Sequence, residues 1–285
     1  MSAWDDWPSY RRLVSLVRAP DGGAAEVGSV AAASLAEFVE HLVRYDAAAY
    51  PAAIVETAVQ MARSRAAFAP LVLLANTVLL NVDRGPDVVV AEARAFEKRL
   101  AASVEIVSSV GAALIPEGGI VLTHGASSTV RTTLVLAASR GVRVVCTAAT
   151  PGGEGQRLAA DLMSAGVAVE VIPDDAAPDA LFATDLVLLG ANALGPESAI
   201  NVAGTGVILE EARDLGVKSL LLVSADKALP GPLFARAAEV ALGSPTLELV
   251  ALTGLDSIVT EQGVLDASAL RRLAEDKPVA PELAT

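Results

Sequence analysis

With 285 residues, 53% of them hydrophobic and 19% charged, the chain can bury one large or two ordinary cores, and global disorder is excluded. A net charge of −13, with no run of Lys or Arg longer than a pair, offers no basic face, so direct nucleic-acid binding is not expected. One cysteine, Cys146, and two histidines, His41 and His124, exclude an internal disulfide and a cysteine-rich zinc site, and no cofactor is called for.

The first 28 or so residues hold two Trp, a Tyr-Arg-Arg run and a Pro-Asp-Gly-Gly turn from Pro20, which reads as a short helix and then a loop. No basic stretch followed by an apolar one opens the sequence, so a secretory signal is not expected and the protein is placed in the cytoplasm. Its apolar residues are spread along the chain, so neither a transmembrane helix nor a membrane partner is expected. From Val30, residues Leu35, Phe38, Val39, Leu42 and Val43 recur at the three-and-four spacing of one helix face, with His41 beside it. Pro51 begins another helix, Pro70 a third that runs through Leu80, and Gly85-Pro86 a long one with Val89, Ala93, Phe96, Leu100, Val104 and Val107 on one stripe. Residues 1–115 are thus expected to form a helical N-terminal domain.

After Pro116-Glu-Gly-Gly the period changes. Short apolar runs at Ile120–Thr123, Val142–Cys146, Val167–Ile172, Leu186–Leu189 and Leu220–Val223 alternate with helical segments, as in a doubly wound parallel sheet whose strands are buried on both faces. A last strand pair is expected around Glu248–Leu252 and Ile258–Val259, then a charged helix and a frayed tail. Residues 116–285 therefore read as an α/β ligand-binding domain. Small or polar residues follow each strand, which predicts a polar cleft along that rim of the sheet.

The strand-turn-helix at 120–138 is the stretch best suited to a ligand. Ser127, Ser128 and Thr129 stand where the first N–H groups of a helix lack partners, a geometry that favours an anion such as a phosphate. The same residues also suit plain helix capping. Lys227, beside Asp226 at the end of the fifth strand, reads either as a ligand-binding cation or as a solvated lysine. Cys146 reads as a small buried residue, with a reactive thiol on the same rim as the alternative.

The order and spacing of several stretches over about 200 residues resemble one superfamily. They are Ser-Arg-Ala-Ala-Phe-Ala-Pro-Leu at 64–71, Leu-Thr-His-Gly-Ala-Ser-Ser-Thr-Val at 122–130, Thr-Pro-Gly-Gly-Glu-Gly-Gln-Arg-Leu at 150–158, Asp-Leu-Val-Leu-Leu-Gly-Ala-Asn at 185–192 and Asn-Val-Ala-Gly-Thr at 201–205. Ile-Val-Thr-Glu-Gln-Gly at 258–263 is a weaker sixth. That superfamily contains the alpha, beta and delta subunits of initiation factor 2B, methylthioribose-1-phosphate isomerase and ribose-1,5-bisphosphate isomerase. The resemblance implies a helical N-terminal domain, a Rossmann-like C-terminal domain of the sugar-phosphate isomerase type, and assembly as a homodimer or larger. It also implies that Arg65 lies near a phosphate, that Arg157 follows a ligand loop, and that Lys227 contacts ligand. A salt-bridged helix residue is the alternative for Arg65.

The sequence departs from the isomerase pattern at the positions that carry the chemistry. Gly125 stands where the resemblance implies a catalytic cysteine, and Asn192 where it implies a catalytic aspartate. Glycine has no proton to move, and an amide is no general base near neutral pH. Glu154 replaces a glutamine and Val202 a lysine, both changes unfavourable to a doubly charged phosphate, while Asn201, Gly204 and Thr205 remain. The sequence thus points to an initiation factor 2B-like protein that binds a sugar phosphate or nucleotide without catalysis. An aldose–ketose isomerase of altered mechanism, acting on a phosphorylated pentose, is the alternative, and a ligand-free structural oligomer the third reading.

Overall fold

The computed structural model describes residues 4–18, 22–275 and 277–284. Much of the expected Pro20 turn falls outside them. Five helices come first: α1 (Pro8–Arg18), α2 (Ala24–Tyr45), α3 (Ala52–Ser64), α4 (Ala69–Leu79) and α5 (Pro86–Leu114). α2 starts at Ala24, earlier than its periodicity suggests, because Gly23 supplies an extended N-cap and Ala24, Ala25 and Val27 already face the core. α4 carries no charged side chain and is buried along nearly its whole length, the pattern of a helix at the centre of a bundle. Leu35, Phe38, Ile54, Leu71, Leu74, Phe96 and Leu100 pack together there, and Ile200, Leu229, Phe234 and Leu283 from the second half of the chain join the same cluster.

The second half alternates strand and helix. In order come β1 (Ile120–Thr123), α6 (Ser128–Ala137), β2 (Arg143–Thr147), α7 (Glu154–Ser164), β3 (Ala168–Ile172), α8 (Ala177–Leu181), β4 (Leu186–Leu189), β5 (Ala193–Leu194) and β6 (Ser198–Val202). Then follow α9 (Thr205–Leu215), β7 (Lys218–Leu222), α10 (Gly231–Leu242), β8 (Leu247–Ala251), β9 (Ser257–Thr260), β10 (Gly263–Leu265) and α11 (Ala267–Glu275). The main sheet has the order β10-β9-β7-β4-β1-β2-β3, parallel except for the β10–β9 pair. Period-two alternation puts Val121, Leu186, Leu188, Leu220 and Leu222 under α5, α6 and α7, while Leu122, Val187, Leu189 and Leu221 face α8, α9 and α11. The chain runs outward from β1 through β2 to β3, then returns to the other flank of β1 with β4. The switch point, and the crevice that goes with it, therefore lies at the carboxyl ends of β1 and β4.

Three expectations are corrected. β3 is not buried on both faces, since Val171 is 40% exposed: it is the sheet's edge strand, and the five-residue α8 is too short to cover it. β8 and β9 do not pair with each other. The residues after β4 instead form β5 and β6, and β8 pairs antiparallel with β6 in a small second sheet, leaving β9 beside β7. The tail is docked rather than frayed. Asn76 on α4 donates from Nδ2 to Pro278 O and accepts from Ala280 N, both at 2.8 Å, and Ala280 and Leu283 are buried. Lys277 donates to Ala225 O and Ala228 O at 2.8 Å, so the tail braces the turn that carries Lys227.

Asn76→Ala would leave the buried Ala280 N–H unpaired and take away the donor to the carbonyl of the more exposed Pro278. It is expected to cost roughly 2–4 kcal/mol and to expose residues 277–284 to proteolysis. Urea denaturation with limited digestion checks this, and a tail that stays protected at unchanged stability would contradict the clamp.

Candidate functional site

The turn after β1 is shaped by close backbone approach. Gly125 has φ +78, in the left-handed region that favours glycine. At the facing turn after β4, a Cβ on Gly190 would lie 2.6 Å from Ser127 Oγ, so the two turns touch. Ser127 caps α6 by accepting from Val130 N at 3.4 Å, and Gly23, just before α2, packs over Ser128 N. The capping reading of these hydroxyls is thus partly realised. Ser127 and Ser128 still line cavities, but Thr129 is turned into the core, where its carbonyl accepts from Ser108 and Thr133.

Three adjoining spaces form the cleft. An outer chamber of about 380 Å3 is walled by Arg65, Phe68, Glu154, Arg157, Asn192 and Val202, with Ser244, Thr246 and Leu247 closing its far side. A side lobe of about 420 Å3 runs past Ser127, Ser128, Arg131 and Arg157. An inner chamber of about 10 Å3, room for one water-sized group, lies among His124, Ser127, Asn192, Asn201 and Lys227. Arg65, Ser127, Ser128, Arg157, Asn192, Asn201 and Lys227, all candidates for ligand contact, therefore share one cleft, and Thr129, the other candidate, does not.

Each is placed by a local cause. Ala69 N donates to Asn192 O at 3.1 Å, docking the start of α4 on the end of β4 and bringing Arg65 to the rim, where its guanidinium stacks on the Phe68 ring. Burial lowers the pKa of Arg65. The loop from β2 to α7 is held by Asp174, whose carboxylate accepts from Ala149 N and Thr150 N at 2.7 Å. Arg157 lies over this loop, donating to Gly152 O, with Glu154 Oε1 3.8 Å away. Glu154 Oε2 is buried without a hydrogen-bond partner among the described residues.

The inner chamber is rich in donors. Lys227 is 3% exposed, and its Nζ donates to Ala191 O at 2.7 Å. Burial brings its pKa down from 10.5 to about 8. Asn201 Nδ2 is also buried, with no acceptor among the described residues. A buried cation and an unused amide N–H side by side are suited to an oxygen of an anionic ligand.

Groups that might replace the missing proton-transfer pair are otherwise engaged. His124 Nε2 donates to Ala203 O at 2.9 Å, which leaves Nδ1 to accept from Thr147 Oγ1 at 2.6 Å. Both nitrogens are used, and the imidazole latches the segment after β6 onto the end of β1. The Cys146 thiol points into the core, where burial pushes its pKa up to about 12, so it is an unreactive packed side chain. Asp226 faces Arg99 at 3.5 Å rather than the chamber. Among the described residues no group of His, Cys, Asp and Glu is arranged to hold a metal ion, and no helix is long and apolar enough to cross a membrane.

Sequence reading missed the far wall at 244–247 and the latch by His124. Neither has a local signal, since both arise from chain segments distant in sequence.

Residues 24–227 match the Initiation factor 2 subunit family. A translation initiation factor eIF-2B subunit 2-like protein of Pyrococcus furiosus is 34% identical over 157 residues, covering 53% of this chain and 55% of that protein. The ribose 1,5-bisphosphate isomerase of the same organism is 28% identical over 147 residues, covering 50% of this chain and 45% of the isomerase. These alignments span about half the length of each relative. The crystal structure of the Pyrococcus horikoshii OT3 translation initiation factor eIF-2B superposes with a TM-score of 0.79 over 91% of this chain and 97% of that one; at 21% identity this is a likeness of fold.

Proposed function

Because this chain belongs to the initiation factor 2 subunit family, we propose that it is a non-catalytic member that binds a sugar phosphate or nucleotide in the cleft above β1 and β4. One observation carries the proposal: beneath the cleft a buried lysine and an unpaired amide donor await an acceptor, while Gly125 and Asn192 supply no acid or base beside them. The phosphorylated ligand spans Arg65 and Arg157 in the outer chamber and puts one oxygen toward Lys227 and Asn201. The same reading has the protein assembling with copies of itself as a dimer or larger, which sedimentation equilibrium would test.

A second reading is an isomerase of altered mechanism, acting on a pentose phosphate of the ribose 1,5-bisphosphate or methylthioribose 1-phosphate type. Lys227 favours it, because an amine with a pKa of about 8 can exchange a proton near neutrality.

Thermal-shift titration with ribose 5-phosphate, ribose 1,5-bisphosphate and nucleoside monophosphates, alongside a turnover assay, separates the two. Binding to the native state is expected to raise Tm by about 5 °C at a hundredfold excess over Kd, without turnover. Turnover on the order of 1 s⁻¹ would favour the isomerase. No shift with any of these ligands would defeat both readings.

A further inference from the structure

Val202 lines the outer chamber and touches Gly125, whose neighbours His124 and Ala126 line the inner one. A Cβ built on Gly125 would come within 2.9 Å of Val202 Cγ2 and 3.5 Å of its Cβ, so this side chain fills the space over the turn where a residue larger than glycine would project. Its backbone is fixed from both sides. His124 holds Ala203 O, and Thr205 Oγ1 donates to Val202 O at 2.7 Å. Asn201, the preceding residue, lines the inner chamber, whereas Val202 lines the outer one. The backbone that carries the isopropyl group is thus held in place next to residues of the inner chamber, which itself admits one water-sized group.

We propose that Val202, seated on Gly125, is the specificity-determining plug of this cleft, restricting entry to the inner chamber to a single ligand oxygen and excluding a whole phosphate or hydroxymethyl group. This deepens, and rests on, the binding function proposed above. The wild-type protein therefore holds pentose phosphates in the outer chamber and gains nothing from a second phosphate. Truncating the plug opens a path along which that second phosphate reaches Lys227 and Asn201.

Calorimetric titration of ribose 5-phosphate and ribose 1,5-bisphosphate into wild type, Val202→Ala and Val202→Ala/Lys227→Met tests this. The bisphosphate is expected to bind wild type within threefold of the monophosphate, and Val202→Ala at least tenfold more tightly than the monophosphate. That preference is expected to vanish in the double variant, which a general loosening of the cleft would not produce. An unchanged ratio in Val202→Ala overturns the plug while leaving the binding function intact. Sugar-phosphate binding by Val202→Ala but not by wild type supports the plug and defeats the binding function; no binding by either protein defeats both. Melting temperatures supply an independent check. Gly125→Ala is expected to lower Tm less in the Val202→Ala background than in wild type, and equal losses in the two backgrounds overturn the contact on which the plug depends.

Discussion

Lys227→Met is expected to weaken binding of a phosphorylated ligand by roughly 10- to 100-fold and, at the same time, to stabilise the empty protein at pH 7. The first effect follows from removing a charge-assisted hydrogen bond, worth about 1.5–3 kcal/mol. The second follows from burial. In the folded protein the amine's pKa is about 8, below its usual 10.5, because the charged form has been taken out of water with only the carbonyl of Ala191 to receive it. Below pH 8 the folded state carries this uncompensated cation, a cost of roughly 3 kcal/mol. Methionine keeps the stem's volume and removes the charge, and the unpaired Ala191 carbonyl returns about 1 kcal/mol of that gain.

The pH dependence carries the sign. Between pH 8 and 10.5 the unfolded chain binds the proton that the folded protein has released, so stability rises with pH. Lys277, also brought down to about 8 mainly by burial, contributes in the same direction. Each lysine is expected to add roughly 1 kcal/mol between pH 7 and 9, so the wild type is more stable at pH 9, and Lys227→Met should show about half the increase. From about pH 8 upward the gain is partly opposed by Cys146, whose folded thiol titrates only near 12 while the unfolded thiol ionises near 9. Urea unfolding at pH 7 and 9, with ligand titration of both proteins, decides the matter. A Lys227→Met protein that is less stable than wild type at pH 7 and binds ligand equally well would mean that the lysine is a structural strut.

Gly155→Ala is expected to be the most damaging single-methyl change in the cleft. The added Cβ would sit 1.8 Å from Thr147 O, in contact with backbone that no side-chain rotation can move aside. The first turn of α7 rests directly on the last carbonyl of β2, and only a residue without a Cβ permits that approach. Overpacking of this kind is expected to cost about 3 kcal/mol or more and to lower Tm by about 10 °C. Ligand binding should be lost with it, because Glu154 and Arg157 are carried on the displaced turn. Gly254→Ala is the matched control: a Cβ there meets nothing within 4 Å, and the expected change is within about 0.5 kcal/mol. Similar melting temperatures for the two variants would show that α7 can retreat from the sheet without cost.

Several parts of the molecule were legible from residues alone because the cause is local. Apolar spacing located α2 through α5, and short Val/Leu runs located β1, β2, β3, β4 and β7 as strands, though not their order in the sheet. Where the cause was not local, sequence reading failed. β8 joins β6 because the chain folds over the rim after β4, which no pattern within residues 247–251 announces. The tail after α11 looked frayed by its prolines, yet Asn76, far away in sequence, supplies the hydrogen bonds that dock it.

The same division holds at the site. By itself the sequence determined which groups two rim positions cannot supply, because a glycine at 125 has no side-chain group to titrate and an amide at 192 is neither acid nor base near neutral pH in any fold. It also determined which charges are available, at Arg65, Arg157, Glu154 and Lys227. Only the tertiary structure decided what those groups experience. Enclosure by three strand ends turns Lys227 from a candidate surface cation into a buried donor, the packing of α6 on α5 sends Thr129 inward, and the latch at His124 sets Val202 over Gly125. The reason is physical: the identity of a side chain fixes what it can donate or accept, whereas desolvation and steric exclusion depend on neighbours that come together only when distant segments pack.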